Sequence, residues 1–232
     1  MFMNRKIISL FTSLALIMSA VPVFAYPDCD SEAVTELTKW GVLSGDENGN
    51  FRPDDLLTRA EFSTMAAIAT GVNDLKATDL PQESRFSDVG RDYWGFKYIV
   101  YSTNCAYLDG FEDGTFKPDE NVTFAQAVKI CLSASGYNAM IDKSVEPSTW
   151  YEPWLKIAYD YGLIDTTDEN PDRKITREEA AEMIYTAVNM PLCIVKGYNV
   201  ATGTINFRLC DGKEDENGEV EPFNNLYRKY IR

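Results

Sequence analysis

Leu57-Thr58-Arg59-Ala60-Glu61, Val122-Thr123-Phe124-Ala125-Gln126 and Ile175-Thr176-Arg177-Glu178-Glu179 are one pattern written three times. Thr-x-x-Glu or Thr-x-x-Gln ahead of an apolar run is a capping box. The hydroxyl accepts from the amide three residues on, and the Glu or Gln side chain reaches back to the Thr amide. Each copy therefore opens a helix. The apolar face that follows is Phe62, Met65, Ala66 and Ala69 in the first copy. In the second it is Ala127, Ile130, Cys131 and Ala134, and in the third Ala180, Met183, Ile184 and Ala187. Steps of three and four residues keep each set on one helix face.

The repetition extends upstream. Gly41-Val42-Leu43-Ser44-Gly45 through Phe51-Arg52-Pro53-Asp54 corresponds to Ala106-Tyr107-Leu108-Asp109-Gly110 through Phe116-Lys117-Pro118-Asp119. Tyr161-Gly162-Leu163-Ile164 begins the third version, whose loop is shorter. Ahead of each loop lies another helical pattern: Ala33, Val34, Leu37 and Trp40; Trp94, Tyr98, Tyr101, Cys105 and Leu108; Trp150, Trp154, Ile157, Tyr161 and Ile164. Each copy thus reads helix, turn, helix. A unit of about 50 residues buries little surface alone, so three must share a core.

Composition narrows the chemistry. The chain has 232 residues, 22 Lys+Arg, 36 Asp+Glu, no His and a formal charge of −14. Such acidity argues against nucleic acid as the main partner. Without His, Ser-His-Asp, Cys-His and His-zinc sites are excluded. Asp46-Glu47-Asn48-Gly49-Asn50 resembles a calcium loop but has Phe51 and Leu57 where an EF-hand needs Gly and Glu. No metal, cofactor or catalytic residue is expected.

Capping explains Thr and Glu in the pattern but not Arg59 and Arg177. A cation at the first helical position faces the positive end of the helix dipole, at a cost of about 0.3–1 kcal/mol. Two readings account for it. The Arg and the free amides of the helix start together hold an anionic ligand, or the long side chain reaches a neighbouring Asp or Glu.

The repeats resemble S-layer homology modules. The resemblance rests on Phe86-Ser87-Asp88-Val89, Tyr93-Trp94, Gly110-Phe111-Glu112-Asp113-Gly114-Thr115-Phe116-Lys117-Pro118 and Leu57-Thr58-Arg59-Ala60-Glu61. Tyr26-Pro27-Asp28-Cys29 is a shortened opening of the first copy. It implies a mainly α fold: three helix-loop-helix repeats forming a pseudo-threefold prism, here with a short strand-containing C-terminal tail. It also implies non-covalent binding of a secondary cell-wall polysaccharide, often through a pyruvylated sugar, in grooves between repeats. The implied polysaccharide-binding residues are Arg59, Arg177, Asp88, Trp94, Trp150, Gly45 and Gly110, with Arg59 near Asp88 and Trp94. Trp94 and Trp150 also read simply as core residues. Phe124 stands where the second Arg is expected, Cys29 lies near the first Trp position, and Thr166-Thr167-Asp168-Glu169-Asn170-Pro171 replaces the third loop. The alternative is a structural or assembly scaffold with degenerate sugar sites that docks a protein partner, the C-terminal tail being one surface for it. A wall hydrolase is disfavoured, because Glu61 and Glu179 are spoken for as caps.

The domain boundaries read as follows: 1–25 signal peptide, 26–72, 85–137 and 138–190 the three repeats, 73–84 a linker, and 191–232 the tail, a candidate truncated further domain. Arg5 and Lys6, the apolar stretch Ile7 to Val21 and Val23-Phe24-Ala25 form the secretory pattern. A membrane anchor is the other reading, against which the run is short. The expected location is therefore outside the cell, at the wall or surface. Of the five Cys, Cys105 and Cys131 are expected as buried free thiols, and Cys193 with Cys210 as a possible bridge. Tyr198 to Cys210 reads as strand, Asp215 to Gly218 as a turn, and Asn224 to Arg232 as amphipathic and basic.

Overall fold

The computed structural model describes residues 26–74, 82–142, 144–199 and 204–210. The signal peptide, the Asp215–Gly218 turn and the Asn224–Arg232 segment lie outside them. The helices are α1 (Glu32–Lys39), α2 (Arg59–Ala69), α3 (Phe96–Asn104), α4 (Phe124–Ala134), α5 (Glu152–Asp160) and α6 (Arg177–Asn189). Two strands follow, β1 (Leu192–Asn199) and β2 (Thr204–Cys210). The protein is thus mainly helical, with three helix-loop-helix repeats and a strand-containing tail.

The capping boxes begin α2, α4 and α6, with both halves formed in each. These helices pack on one another around a common axis. The apolar faces read from the sequence are buried: Phe62 and Ala66, Ala127 and Cys131, Ala180 and Ile184 among them. Burial goes further than one face, since Ser63, Ala67, Val128 and Leu132 are also enclosed.

Just before the boxes, a closed ring of backbone hydrogen bonds marks the pseudo-threefold axis. The Leu57 amide donates to the Ile175 carbonyl (3.4 Å), Ile175 to Val122 (3.4 Å) and Val122 to Leu57 (2.9 Å). All three side chains are fully buried. A β-branched or leucyl residue before each Thr therefore serves as both core and ring member.

The opening helices close the ring on the outside. α3 packs on α2, α5 on α4, and α1 on α6. Each opening helix thus leans on the second helix of the preceding repeat, and the first repeat closes on the third. Their buried faces differ from the stripes read above. In α3, Ile99, Val100, Ser102 and Thr103 are buried, whereas Tyr98 and Tyr101 are half-buried and Cys105 is exposed. In α5, Trp154, Leu155 and Ala158 are buried and Tyr161 is exposed. The aromatic spacing traced a flank of α3, whose buried centre is aliphatic, whereas α5 keeps Trp154 of its stripe inside. Only α1 buries the stripe as read, with Ala33, Val34 and Leu37 inside.

The described part of the tail forms two strands rather than one strand beginning at Tyr198. β1 and β2 pair antiparallel, with an irregularity between Val195 and Gly197 that leaves Lys196 as an extra residue. The base of the strand pair docks on the end of α4: the Cys193 amide donates to the Ser135 carbonyl (2.9 Å), and the buried Tyr137 hydroxyl to the Pro191 carbonyl (2.8 Å). Cys193 and Cys210 are both buried, and no disulfide joins one to the other. Their register explains it: Cys193 pairs with Leu209 and Cys210 with Leu192, so the thiols are offset by one position.

Candidate functional site

The helix starts do not hold free amides. At α2, the Arg59 amide donates to the Glu120 carbonyl (2.8 Å) and the Ala60 amide to Pro118 (3.0 Å). Phe124 and Ala125 do the same to Arg173 and Pro171, and Arg177 and Glu178 to Asp55 and Pro53. The third amide is taken by the Thr hydroxyl. The expectation that an anion is shared between Arg and these amides is therefore corrected: the loop of the next repeat occupies them.

The guanidinium groups follow the same cyclic order. Arg59 Nε donates to the Phe116 carbonyl (2.9 Å) and Nη2 to the Asp109 carbonyl (3.3 Å). Arg177 Nε donates to Phe51 (2.9 Å) and Nη2 to Ser44 (3.2 Å). These acceptors are equivalent positions of two loops. Both cations also lie over loop aromatics. The Arg59 guanidinium is 4.5 Å from the Phe116 ring centre and 4.8 Å from that of Phe111, and Arg177 is 4.9 Å from Phe51. Among the described residues neither forms an ion pair with a carboxylate. The reading in which each Arg is spent on a neighbouring Asp or Glu is thus not what the structure contains. Arg59 is only 5% exposed, and burial pushes its pKa down to about 10, against the opposing pull of Glu120 and Asp88. It remains a cation at neutral pH with its charge only distantly balanced.

Asp88 and Asp28 hold the loops that hold the arginines. The Asp88 carboxylate accepts from the Phe116 amide (2.8 Å) and the Lys117 amide (2.7 Å). Asp28 accepts from Phe51 (2.9 Å) and Arg52 (2.8 Å), and the Phe51 amide above all keeps its carboxyl below the usual range. Lys117 and Arg52 sit at φ 55° and 59°, a left-handed conformation that these carboxylates help to pin. Gly110 and Gly45 admit the ring behind each loop. A Cβ on Gly110 would lie 2.6 Å from the Thr115 carbonyl and collide with Phe86. One on Gly45 would lie 2.5 Å from the Tyr26 ring and 2.8 Å from the Asn50 carbonyl. Asp28, Phe51, Phe111 and Phe116 were not singled out as site residues. Asp28 was legible only as the Asp of the shortened Tyr26-Pro27-Asp28 opening.

Two grooves result. The first, of about 720 Å³, contains Arg59, Gly110, Phe111, Gln126, Lys129 and Trp150. The second, of about 460 Å³, contains Arg177, Ser44, Glu61, Thr64, Met65 and Trp94. Arg59 therefore shares its groove with Trp150, and Trp94 belongs with Arg177; the expected Arg59–Trp94 neighbourhood is corrected. The cause is the cyclic order: each groove takes its Arg, loop and Trp from three different repeats. Trp94 and Trp150 are 57% and 48% exposed, so neither is a core residue.

The third interface is built differently. Phe124 occupies the Arg position and is buried, and the Arg173 guanidinium stacks on its ring at 4.6 Å. Arg173 is paired with Glu169 (2.8 Å) and Glu179 (2.8 Å). Glu182, in the place of Lys129, has its carboxyl pushed up by burial and by Glu178 and Glu179. The Arg173 cation is more than matched by the Glu169 and Glu179 carboxylates that pair with it. No group of His, Cys, Asp and Glu suited to a metal occurs among the described residues, and no described helix is long and apolar enough to cross a membrane.

Comparison with known proteins agrees with the repeat structure. The family profile described as the S-layer homology domain matches residues 28–63, 85–128 and 145–181, just over half of the chain. The chain is 29% identical over 236 positions to the surface-layer 125 kDa protein of Lysinibacillus sphaericus, covering 91% of this chain and 20% of that one. It is 30% identical over 135 positions to the S-layer protein sap of Bacillus anthracis, covering 55% and 16%. An endoglucanase of Bacillus sp. strain KSM-635 is 26% identical over 166 positions, covering 66% and 17%. The chain thus spans about a fifth or less of the length of these relatives.

Proposed function

The chain belongs to the S-layer homology domain family, a cell-surface anchoring module, and on that premise we propose that it binds a secondary cell-wall polysaccharide in two grooves, non-covalently and without catalysis. The observation that carries the reading is the pair Arg59 and Arg177. Each guanidinium is held in place by two carbonyls and an aromatic face and, among the described residues, left without a carboxylate partner. A partly desolvated cation beside an exposed Trp suits a sugar bearing a carboxylate, such as a pyruvate ketal. The anion pairs with the Arg, and the sugar stacks on the ring.

Asp88, Gly45 and Gly110 act as positioning residues in this reading. They fix the loops whose carbonyls aim the arginines. Affinity rests on short-range contacts, because an acidic protein gains nothing from long-range attraction to an anionic polymer. Salt should then weaken binding only modestly.

Co-sedimentation with Gram-positive cell walls tests the proposal, run beside walls stripped of secondary polymer and an Arg59→Ala/Arg177→Ala variant checked for folding by circular dichroism. Retention on intact walls alone, lost in the folded variant, is the expected result. Equal pelleting with stripped walls would instead favour the scaffold reading, in which a protein partner is docked.

A further inference from the structure

The two grooves share an arginine but differ in what stands beside it. In the Arg59 groove, Asp109 holds two cations at once. Its carbonyl accepts from Arg59 Nη2 (3.3 Å), and its carboxylate accepts from Lys129 Nζ (3.1 Å). One residue therefore spaces the guanidinium and the ammonium. The Lys129 ammonium also lies 6.0 Å from the Trp150 ring centre and 5.7 Å from that of Trp154, on the side of the groove where a sugar would stack. In the Arg177 groove the equivalents of Asp109 and Lys129 are Ser44 and Thr64, both neutral. The larger cavity is thus also the one with two cations, which stand there beside the Asp109, Glu112 and Asp113 side chains that line it too.

Lys129 is not locked away by its ion pair. The Asp109 side chain is 62% exposed, and such a pair contributes little in water. An incoming anion can replace that carboxylate without leaving a buried charge alone, since Asp109 faces solvent and keeps the Arg85 guanidinium at 3.4 Å. We infer that the grooves are unequal. The Arg59 groove is a two-cation site for a stretch of polymer presenting two anionic groups about one sugar apart, and the Arg177 groove takes one anionic group. This rests on the anion-binding reading of both grooves.

The indole N–H signals of Trp150 and Trp94 report the two grooves separately, so ¹⁵N-edited titration of the intact protein tests the inference. The probes are the methyl glycoside of a pyruvylated N-acetylhexosamine, with one anionic group, and the anomeric phosphate of the same sugar, with two. The Trp150 signal should saturate with the phosphate probe at concentrations about ten- to a hundredfold lower than the Trp94 signal, the size expected of one added charged hydrogen bond. Lys129→Thr should remove that difference. Equal saturation of both signals in the unaltered protein, or a preference that survives Lys129→Thr, would overturn the inference while leaving anion binding intact. If neither probe moves either signal, the anion-binding reading falls and the inequality with it.

Discussion

Arg59 is a cation at the unfavourable end of a helix, and backbone carbonyls make it tolerable. Two of them take the first amides of α2, and two more take the guanidinium. All four come from the loop of the next repeat, so the loop must hold its shape. Asp88 is the residue that enforces this, through the Phe116 and Lys117 amides. Asp88→Ala should therefore cost about 1 kcal/mol in urea unfolding. It should also weaken ligand binding at the Trp150 signal while sparing the Trp94 signal. A loss of equal size in both grooves would mean that Asp88 acts on the whole fold rather than on one loop. Gly110 acts by the same route. Gly110→Ala forces a Cβ against the Phe86 ring and the Thr115 carbonyl, and the expected loss is about 1–3 kcal/mol, read from the same unfolding curves.

At the scale of elements, the three second helices were legible because a capping box is local chemistry. Thr123 bonds residues three positions away, and nothing distant can change that spacing. Thr123→Ala should cost about 1 kcal/mol of stability, with Thr58→Ala and Thr176→Ala similar, measured by denaturant midpoints at constant slope. The first helices were read less well. The Trp94-Tyr98-Tyr101-Cys105 spacing is a good helical signal, yet the buried face of α3 centres on Ile99, Val100 and Ser102. Periodicity gives a helix but not which flank meets a partner, and that partner is α2 of another repeat. The grooves were opaque for the same reason: no offset within one repeat shows that Arg59 meets Trp150. Between elements, several tyrosines link the pieces. Burial, and then its bond to Asp119, push the Tyr93 hydroxyl up to about 12, and burial likewise raises Tyr137, which ties the strand pair to the end of α4. A phenol with a raised folded pKa stabilises the fold fully below its ordinary value near 10 and loses that contribution as pH rises toward 12. Absorbance at about 295 nm should show these tyrosines ionising after the rest, together with loss of ellipticity above about pH 10.

Across the whole molecule, the ring of Leu57, Val122 and Ile175 makes the three repeats geometrically equivalent, but the sequence breaks the equivalence at one interface. Where two interfaces keep an arginine on the helix and leave its charge open, the third puts phenylalanine on the helix and the arginine, Arg173, on the loop. There Glu169 and Glu179 neutralise it, and Glu182 adds further acid. An anion entering that interface would meet carboxylates rather than a free cation. Restoring the missing arginine should therefore not restore a site. Phe124→Arg brings a second guanidinium into the place where Arg173 stacks and removes the ring that it covers, so a loss of about 1–3 kcal/mol is expected. Removing the competing cation as well, in Phe124→Arg/Arg173→Asn, frees Glu179 to pair with the new arginine, and the interface stays closed to anions. Calorimetric titration with the pyruvylated methyl glycoside should give two ligands per chain for the unaltered protein and for both variants. Three per chain in the double variant would show that the third interface lacks only its arginine, and that the surrounding acids do not decide the number of sites.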